Sequence, residues 1–249
     1  MSRPLLLLHG FTGSAASWDE VRQHLPLESV AVDLVGHGPP PAPTDPDRYT
    51  MQACVTEVLQ RLDGPTAVLG YSMGGRVALH LALTAPERVS ALVLESASPG
   101  IDDPRERAAR AAADAELAGY IEREGVEAFV ERWERLPLLA LGPSVPEAVR
   151  LRQRRERLAR DPIGLANSLR GMGAGQHAPV WDRLPELRVP VLLIVGALDA
   201  KYRAIAERML ALLPNARLSV IADAGHAVHV EQPSALCASV AEFVASRVR

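Results

Sequence analysis

Cysteine, lysine and long apolar runs are scarce in this chain of 249 residues. Its two cysteines, Cys54 and Cys237, lie far apart in apolar helical patterns, which indicates buried free thiols rather than a disulfide framework or a metal site. No stretch approaches the roughly 18 consecutive apolar residues of a membrane-spanning helix. The apolar run at Leu5–Leu8 is shorter than the about 7–15 residues found in a signal peptide. These absences favour a cytoplasmic protein without membrane insertion.

A strong excess of charge is also lacking. The chain has 27 lysine plus arginine residues against 30 aspartate plus glutamate residues, a formal net charge of −3. A general nucleic-acid binder is usually strongly basic, so the balance argues against that class. Hydrophobic residues make up 48% of the chain, enough to fill a core and to exclude disorder for most of it. Lys201 is the only lysine, and compositional bias explains most of the arginines.

Short apolar runs alternate with helical patterns along much of the chain. Uninterrupted apolar runs of this length are typical of strands in a parallel sheet that is covered on both faces. The alternation predicts an α/β fold with right-handed crossovers, in which ligands gather at the carboxyl ends of the strands. The runs are residues 5–8, 30–34, 67–69, 91–94, 191–195 and 218–221, and the helical patterns are residues 51–62, 73–83, 204–213 and 235–248.

The alternation stops between residues 99 and 190. Helical patterns at residues 105–117, 126–135 and 146–159 dominate there, and prolines and the glycine-rich residues 171–175 interrupt them. The sequence has no internal repeat and no linker that would separate independent domains. We predict a core formed by residues 1–99 and 190–249, with residues 100–189 inserted as a helical lid over the active edge of the sheet.

A G-x-S-x-G sequence, from Gly70 to Gly74, lies between a predicted strand and a predicted helix. Glycines allow the sharp turn on which a nucleophilic serine stands exposed. Serine needs a base to take its proton, and on this type of turn an acid and a histidine follow the serine in chain order. Asp199 and His226 each come just after a predicted strand. The sequence therefore predicts a catalytic triad of Ser72, Asp199 and His226.

The loop after the first predicted strand, residues 9–14, is expected to supply one amide of an oxyanion hole. The residue after the nucleophile supplies the other amide. We therefore predict that the N–H groups of Phe11 and Met73 stabilise a developing oxyanion. His229 lies three residues after His226, but no further ligand stands at a suitable spacing, so no metal site is predicted.

Basic residues at particular positions indicate which kind of substrate and which protein family fit the predicted triad. Arg76 directly follows Gly74 and Gly75 at the end of the G-x-S-x-G motif. Arg107 and Arg110 form a pair at the start of the predicted lid, and residues 199–203 read Asp-x-Lys-x-Arg. Together with the strand pattern, the triad order and the lid position, these features resemble the α/β-hydrolase superfamily over essentially the whole chain. Within it, the sequence resembles the 2-succinyl-6-hydroxy-2,4-cyclohexadiene-1-carboxylate synthase family of menaquinone biosynthesis. It departs from that family at Glu134, where an aromatic residue is expected.

The resemblance implies a lyase rather than a hydrolase. Its reaction eliminates pyruvate from 2-succinyl-5-enolpyruvyl-6-hydroxy-3-cyclohexene-1-carboxylate, with no cofactor and no metal. The implied partner is a small anionic substrate with several carboxylates, which the planar fork of arginine can bind in a bidentate manner. The substrate-binding positions that the resemblance implies are Tyr71, Arg76, Arg107, Arg110, Trp133, Arg157 and Lys201.

Two other functions stay open at this point. A carboxylesterase or a carbon–carbon bond hydrolase would use the same triad through an acyl-enzyme, and strong turnover of neutral p-nitrophenyl esters would favour it. A non-catalytic ligand sensor would keep the pocket without the chemistry, and an unaltered turnover after Ser72→Ala would favour it. Most arginines of the predicted lid could equally form surface ion pairs that stabilise little. The sequence predicts no particular oligomeric state.

Overall fold

Six strands form one sheet in the computed structural model, which describes residues 3–245. The strands are β1 (Leu5–Leu8), β2 (Ser29–Val32), β3 (Thr66–Tyr71), β4 (Val89–Glu95), β5 (Val191–Gly196) and β6 (Ala216–Ile221). Their order in the sheet is β2-β1-β3-β4-β5-β6, and all neighbouring strands are parallel. The predicted fold class, a mainly parallel sheet flanked by helices, is confirmed.

Helices cover both faces of this sheet, as the apolar strands require. Leu6 and Leu8 pack into one core cluster with residues of α2, α3 and α7, whereas Leu5 and Leu7 pack into a second cluster with Trp18 and α9. This division follows the two-residue period of a strand. The helices are α1 (Asp19–His24), α2 (Met51–Leu59), α3 (Met73–Thr84), α4 (Pro104–Glu134), α5 (Glu147–Leu158), α6 (Pro162–Met172), α7 (Ala200–Leu212), α8 (Val228–Glu231) and α9 (Pro233–Ala245).

The strand register brings the carboxyl ends of the central strands to one edge of the sheet. Tyr71, the last residue of β3, pairs with Glu95 at the end of β4, and Glu95 pairs with Ile194 of β5. Gly196, which ends β5, pairs with Ile221, which ends β6. Residues that follow β3, β5 and β6 in the chain therefore emerge side by side.

Helices α4, α5 and α6 occupy the chain between β4 and β5, and we call them the helical segment. Gly125 interrupts α4, with φ +82° and ψ 175°, which explains why the sequence indicated two separate patterns there. Helix α6 was not among the predicted helices, although Asp161 caps it and Pro162 occupies its first turn, a typical helix start. Apolar side chains of α4 and α6 pack together in a third cluster. The division of the chain at residues 99 and 190 stays a prediction.

The predictions of buried free cysteines and of no membrane-spanning helix concern features that the structure describes. Cys54 and Cys237 are both buried and both free thiols. Across residues 3–245, no helix combines the length and the apolar character needed to cross a membrane.

Candidate active site

Ser72 stands on a sharp turn between β3 and α3. Its backbone has φ +50° and ψ −106°, a conformation that costs a residue with a side chain about 1–3 kcal/mol. The turn is held because the Ser72 N–H donates to the carbonyl oxygen of Glu95 at 2.9 Å. A Cβ on Gly74 would lie 2.3 Å from the carbonyl oxygen of Leu8, and one on Gly70 would lie 2.3 Å from the Gly74 oxygen. Close backbone packing therefore explains both glycines of the motif.

The structure brings Asp199 and His226 to this turn. His226 Nε2 lies 3.1 Å from Ser72 Oγ, and His226 Nδ1 lies 2.8 Å from Asp199 Oδ2. The other carboxylate oxygen of Asp199 accepts from the Tyr202 N–H at 3.0 Å, so the start of α7 fixes the carboxylate. Both imidazole and carboxylate are buried. With the ring proton on Nδ1, Nε2 is the atom that can accept the serine proton.

The two amides predicted for an oxyanion hole lie at neighbouring chain turns. Phe11 follows β1, and Met73 is the first residue of α3. Within residues 3–245, neither N–H donates a hydrogen bond, so both donors are available to a bound oxygen atom. His9 holds the loop of Phe11, because its Nε2 accepts from the Leu34 N–H at 3.0 Å. Burial lowers the pKa of His9 to about 4, so the ring is neutral and can accept that bond.

A cavity of about 330 Å³ opens beside Ser72 and His226, between the sheet edge and the helical segment. This size suits a small molecule. Its wall combines apolar side chains with four cationic ones, which include Arg132, and with the carboxylate of Asp114. Of the positions expected to bind substrate or an oxyanion, those that line it are Phe11, Tyr71, Met73, Arg76, Arg110, Trp133 and Lys201.

Arg76 reaches this cavity from the second turn of α3. Its Nη1 donates to the carbonyl oxygen of Met172 at 2.6 Å and lies 2.8 Å from His177 Nε2. Burial lowers the pKa of Arg76 to about 10, which still leaves the guanidinium charged at neutral pH. Its two hydrogen-bond partners are neutral, and within residues 3–245 it makes no ion pair. Arg76 therefore brings a positive charge that no ion pair among the described residues neutralises, and the Asp114 carboxylate on the same cavity wall acts on it from beyond ion-pair distance.

Arg110 also lines the cavity but carries a neutralising partner. Its Nε lies 2.8 Å from Asp114 Oδ1, one helical turn away on α4. Asp114 is buried, its other carboxylate oxygen has no hydrogen-bond partner in the described residues, and burial raises its pKa. Arg110 is therefore the weaker of these two attractors for an anion.

The structure does not bring Arg107 into the cavity. Its Nη1 donates to the carbonyl oxygens of Ile101 and Asp102, at 2.8 and 3.1 Å, because α4 begins only three residues before it and the side chain folds back on the preceding loop. Arg157 lies outside the larger cavity as well. It lines an adjoining pocket of about 50 Å³ that also includes His226.

Glu134, the departure noted in the sequence, is the ion-pair partner of Arg157. The Arg157 Nη1 lies 2.9 Å from one carboxylate oxygen of Glu134, and Arg154 Nη1 lies 2.5 Å from the other. Only 15% of the Arg157 side chain is exposed. The end of α4 is thus tied to α5 by a carboxylate that neutralises Arg157.

Three remaining predicted residues form the wall around the histidine. The Tyr71 ring centroid lies 5.4 Å from that of His226, and burial raises the pKa of Tyr71, which therefore stays a phenol. Trp133 packs edge-on against Phe11, with 5.3 Å between the ring centroids. The Nζ of Lys201 lies 5.9 Å from the centroid of the Tyr202 ring.

A buried carboxylate that was not predicted from the sequence lies behind the site. Glu95 Oε1 accepts from the backbone N–H of His229 at 2.9 Å and lies 2.8 Å from His229 Nδ1. The backbone of the same Glu95 holds Ser72, so one residue links the serine turn to the helix that follows His226. A lone acidic residue directly after the apolar run at residues 91–94 was the available signal. Within residues 3–245, no group of three or more His, Cys, Asp or Glu side chains could hold a metal ion.

A second missed residue, Glu231, connects the histidine loop with the helical segment. One carboxylate oxygen accepts from the Gly225 N–H and the other from the Gly142 N–H, both at 3.0 Å. Gly225 precedes His226, and Gly142 lies between α4 and α5. No sequence pattern marks this bridge, because its two partners are backbone groups far apart in the chain.

Known proteins resemble this chain over nearly its whole length. The model of the Alpha/beta hydrolase family matches residues 5–240. A Bacillus subtilis protein named as a candidate 2-succinyl-6-hydroxy-2,4-cyclohexadiene-1-carboxylate synthase is 44% identical over 98% of this chain and 91% of its own length.

Solved structures agree with this match. The structure of MenH from S. aureus superposes with a TM-score of 0.94 at 32% identity, covering 99% of this chain and 95% of that one. A malate-bound thermophilic esterase from Thermogutta terrifontis superposes with a TM-score of 0.83 at 27% identity, covering 99% and 91% of the two chains. The chain belongs to the alpha/beta hydrolase family, and within that family it is similar to proteins named as 2-succinyl-6-hydroxy-2,4-cyclohexadiene-1-carboxylate synthases.

Proposed function

We propose that this chain is a lyase of menaquinone biosynthesis. It eliminates pyruvate from 2-succinyl-5-enolpyruvyl-6-hydroxy-3-cyclohexene-1-carboxylate and gives 2-succinyl-6-hydroxy-2,4-cyclohexadiene-1-carboxylate. The observation that carries the proposal is a Ser72–His226 pair, 3.1 Å apart, beside a cavity in which Arg76 has no anionic partner among residues 3–245. Identity of 44% to a protein named for this reaction supports the same substrate. A cytoplasmic location stays a prediction.

The first step of the proposed mechanism is proton abstraction. His226 Nε2 accepts the hydroxyl proton of Ser72, and Asp199 on Nδ1 stabilises the imidazolium that results. The serine oxygen then takes the ring proton that is alpha to the succinyl carbonyl. The electron pair of the broken C–H bond moves onto the carbonyl oxygen, and the amides of Phe11 and Met73 stabilise that enolate.

The second step is loss of the leaving group. The enolate reforms the carbonyl, a double bond forms between ring carbons C2 and C3, and the double bond between C3 and C4 moves to C4 and C5. The bond between C5 and the enolpyruvyl oxygen breaks, and its electron pair leaves on that oxygen. The departing enolpyruvate takes up one proton and becomes pyruvate. This proton balances the one that was removed from the ring. His226 can return this proton because it received one in the first step. The sequence of bonds requires no acyl-enzyme.

Arg76 binds one carboxylate of this substrate and holds the ring against Ser72. An arginine fork can make two parallel hydrogen bonds to a carboxylate, which adds orientation to attraction. Lys201 contributes further positive charge to the same cavity, whereas Asp114 balances the charge of Arg110. Arg107 and Arg157 are left with secondary roles, because one lies on backbone carbonyls and the other on Glu134.

A carboxylate-selective esterase is the second candidate. The similarity to a malate-bound esterase, with a TM-score of 0.83, favours it over a non-catalytic sensor. Such an enzyme would use Ser72 as a nucleophile rather than as a base, and its acyl-enzyme would then be hydrolysed by water.

A pyruvate-release assay with the enolpyruvyl cyclohexene substrate distinguishes the candidates. We expect wild-type protein to release pyruvate well above the spontaneous rate, Arg76→Ala to raise KM by about 10–100-fold, and neutral p-nitrophenyl esters to be poor substrates. Arg22→Ala is the matched control, because Arg22 is exposed and pairs with Asp19 on the surface. Fast turnover of an anionic ester, such as the p-nitrophenyl monoester of succinate, with no pyruvate release would favour the esterase.

A further inference from the structure

Both hydrogens of one guanidinium nitrogen of Arg76 are used inside the protein. Nη1 carries two N–H groups, and its two partners are the Met172 carbonyl oxygen at 2.6 Å and His177 Nε2 at 2.8 Å. Within residues 3–245, Nε and Nη2 donate no hydrogen bond. These two nitrogens form one edge of the guanidinium, and that edge matches the two oxygens of a carboxylate.

His177 acts on Arg76 from outside the cavity. Arg76 and Met172 line the cavity, whereas His177 does not. The Nδ1 of His177 lies 3.3 Å from the carbonyl oxygen of Ala178, which favours the tautomer with its proton on Nδ1 and an accepting Nε2. The His80 ring packs edge-on against the His177 ring, with 5.1 Å between centroids.

The surroundings keep this imidazole neutral. Burial and the positive charge of Arg76 lower the pKa of His177 to about 4, with His80 and Arg107 acting in the same direction. At neutral pH the ring therefore accepts a hydrogen bond and adds no charge. A carboxylate at this position would also accept the bond, but it would neutralise the guanidinium.

We propose that His177 is a positioning residue, which fixes Arg76 through a neutral hydrogen bond and leaves its Nε–Nη2 edge charged and oriented for one substrate carboxylate. The inference rests on the proposed function insofar as the ligand is an organic carboxylate. Two of the other arginines near the site show the contrast. Arg110 is paired with Asp114 and Arg157 with Glu134, so the protein neutralises both of them.

Three substitutions test the role of the neutral acceptor. Gln and Glu have the same shape and both can accept from Nη1, but only Glu is anionic. We expect His177→Gln to keep KM within about threefold of wild type and His177→Glu to raise it about 10–100-fold, with a much smaller change in kcat in both cases. His177→Leu, which removes the acceptor, should fall between them. His24→Gln is the control, because His24 is exposed and contacts only a backbone carbonyl.

Two measurements do not depend on turnover. Calorimetric titration with succinate should give the same order of affinity, with His177→Gln close to wild type and His177→Glu weakened about tenfold or more. In the ¹⁵N spectrum at pH 7, Nε2 of His177 should be unprotonated and Nδ1 protonated. Failure of wild-type protein to release pyruvate would refute the proposed lyase, but these two measurements would still judge the role of His177.

Equal succinate affinities for the Gln and Glu variants would overturn the inference, as would a protonated Nε2. If His177→Leu does not fold, the Gln and Glu pair still decides, because the two side chains differ only in charge and one donor. A fall in kcat with unchanged KM in His177→Glu would also contradict a role in carboxylate binding.

Discussion

Replacement of Glu95 by leucine should destabilise the protein by about 2–5 kcal/mol. Glu95 is completely buried, and its Oε1 satisfies two donors, the backbone N–H of His229 at 2.9 Å and Nδ1 at 2.8 Å. Leaving a buried donor without a partner costs about 1–3 kcal/mol. Two such donors give roughly 2–6 kcal/mol, and the sum is reduced because Glu95 Oε2 is itself buried without a partner in the described residues.

Urea unfolding at neutral pH measures this loss, with the slope m compared to verify that both proteins unfold alike. Glu95→Gln should cost less than Glu95→Leu, because its amide oxygen can still accept at the Oε1 position. Glu186→Leu is the control, since Glu186 pairs with Arg183 on the surface and 55% of its side chain is exposed. We expect it to leave the free energy of unfolding nearly unchanged, because an exposed ion pair stabilises little. A Glu95→Leu variant as stable as wild type would refute the reasoning.

Three further predictions concern the serine turn, the helical segment and the buried histidines. Gly74→Ala should lower the free energy of unfolding by about 3 kcal/mol in urea titrations and abolish turnover, because its Cβ would lie 2.3 Å from the Leu8 oxygen. Glu134→Gln should lower KM for the anionic substrate about threefold, because it removes the negative charge that neutralises Arg157. A higher KM would contradict the statement that Glu134 neutralises Arg157. Folding lowers the pKa of His9 from 6.5 to about 4, so the unfolded chain binds its proton first as the pH falls. The stability that comes from keeping His9 neutral is fully present above pH 6.5, and about 3 kcal/mol of it is lost as the pH falls to 4. His9→Gln should therefore make the free energy of unfolding depend less on pH over this range.

The sequence was sufficient for the sheet because its signals are local. The runs of apolar residues required cover on both faces, and the structure places Leu6 and Leu5 in opposite core clusters. The turn at the G-x-S-x-G motif was equally predictable from the sequence. Its glycines are required by close packing of the backbone at the turn. Chain order was enough to expect Asp199 and His226 at the same sheet edge as Ser72.

The contacts that could not be predicted are those for which a side chain has several possible hydrogen-bond or ion-pair partners in the folded chain. Arg107 and Arg110 lie three residues apart on α4, but Arg107 donates to backbone carbonyls and Arg110 lines the cavity. Their spacing in the sequence does not distinguish them. Helix α7 begins at Ala200, four residues before the predicted start, because the Asp199 carboxylate also caps it. The contact between Arg76 and His177 joins residues 101 positions apart, so only the folded chain reveals it.

Simultaneous measurement of pyruvate and diene most directly tests the central claim, that the Ser72, His226 and Asp199 triad drives elimination. Pyruvate is followed by a coupled assay and the conjugated ring by its absorbance, in wild type and in Ser72→Ala. We expect one pyruvate for each diene, and a loss of about a thousandfold or more in Ser72→Ala, because the base and the atom that it activates act as a unit. Pyruvate release no faster than the spontaneous rate in wild type, or an unchanged rate in Ser72→Ala, would contradict the claim.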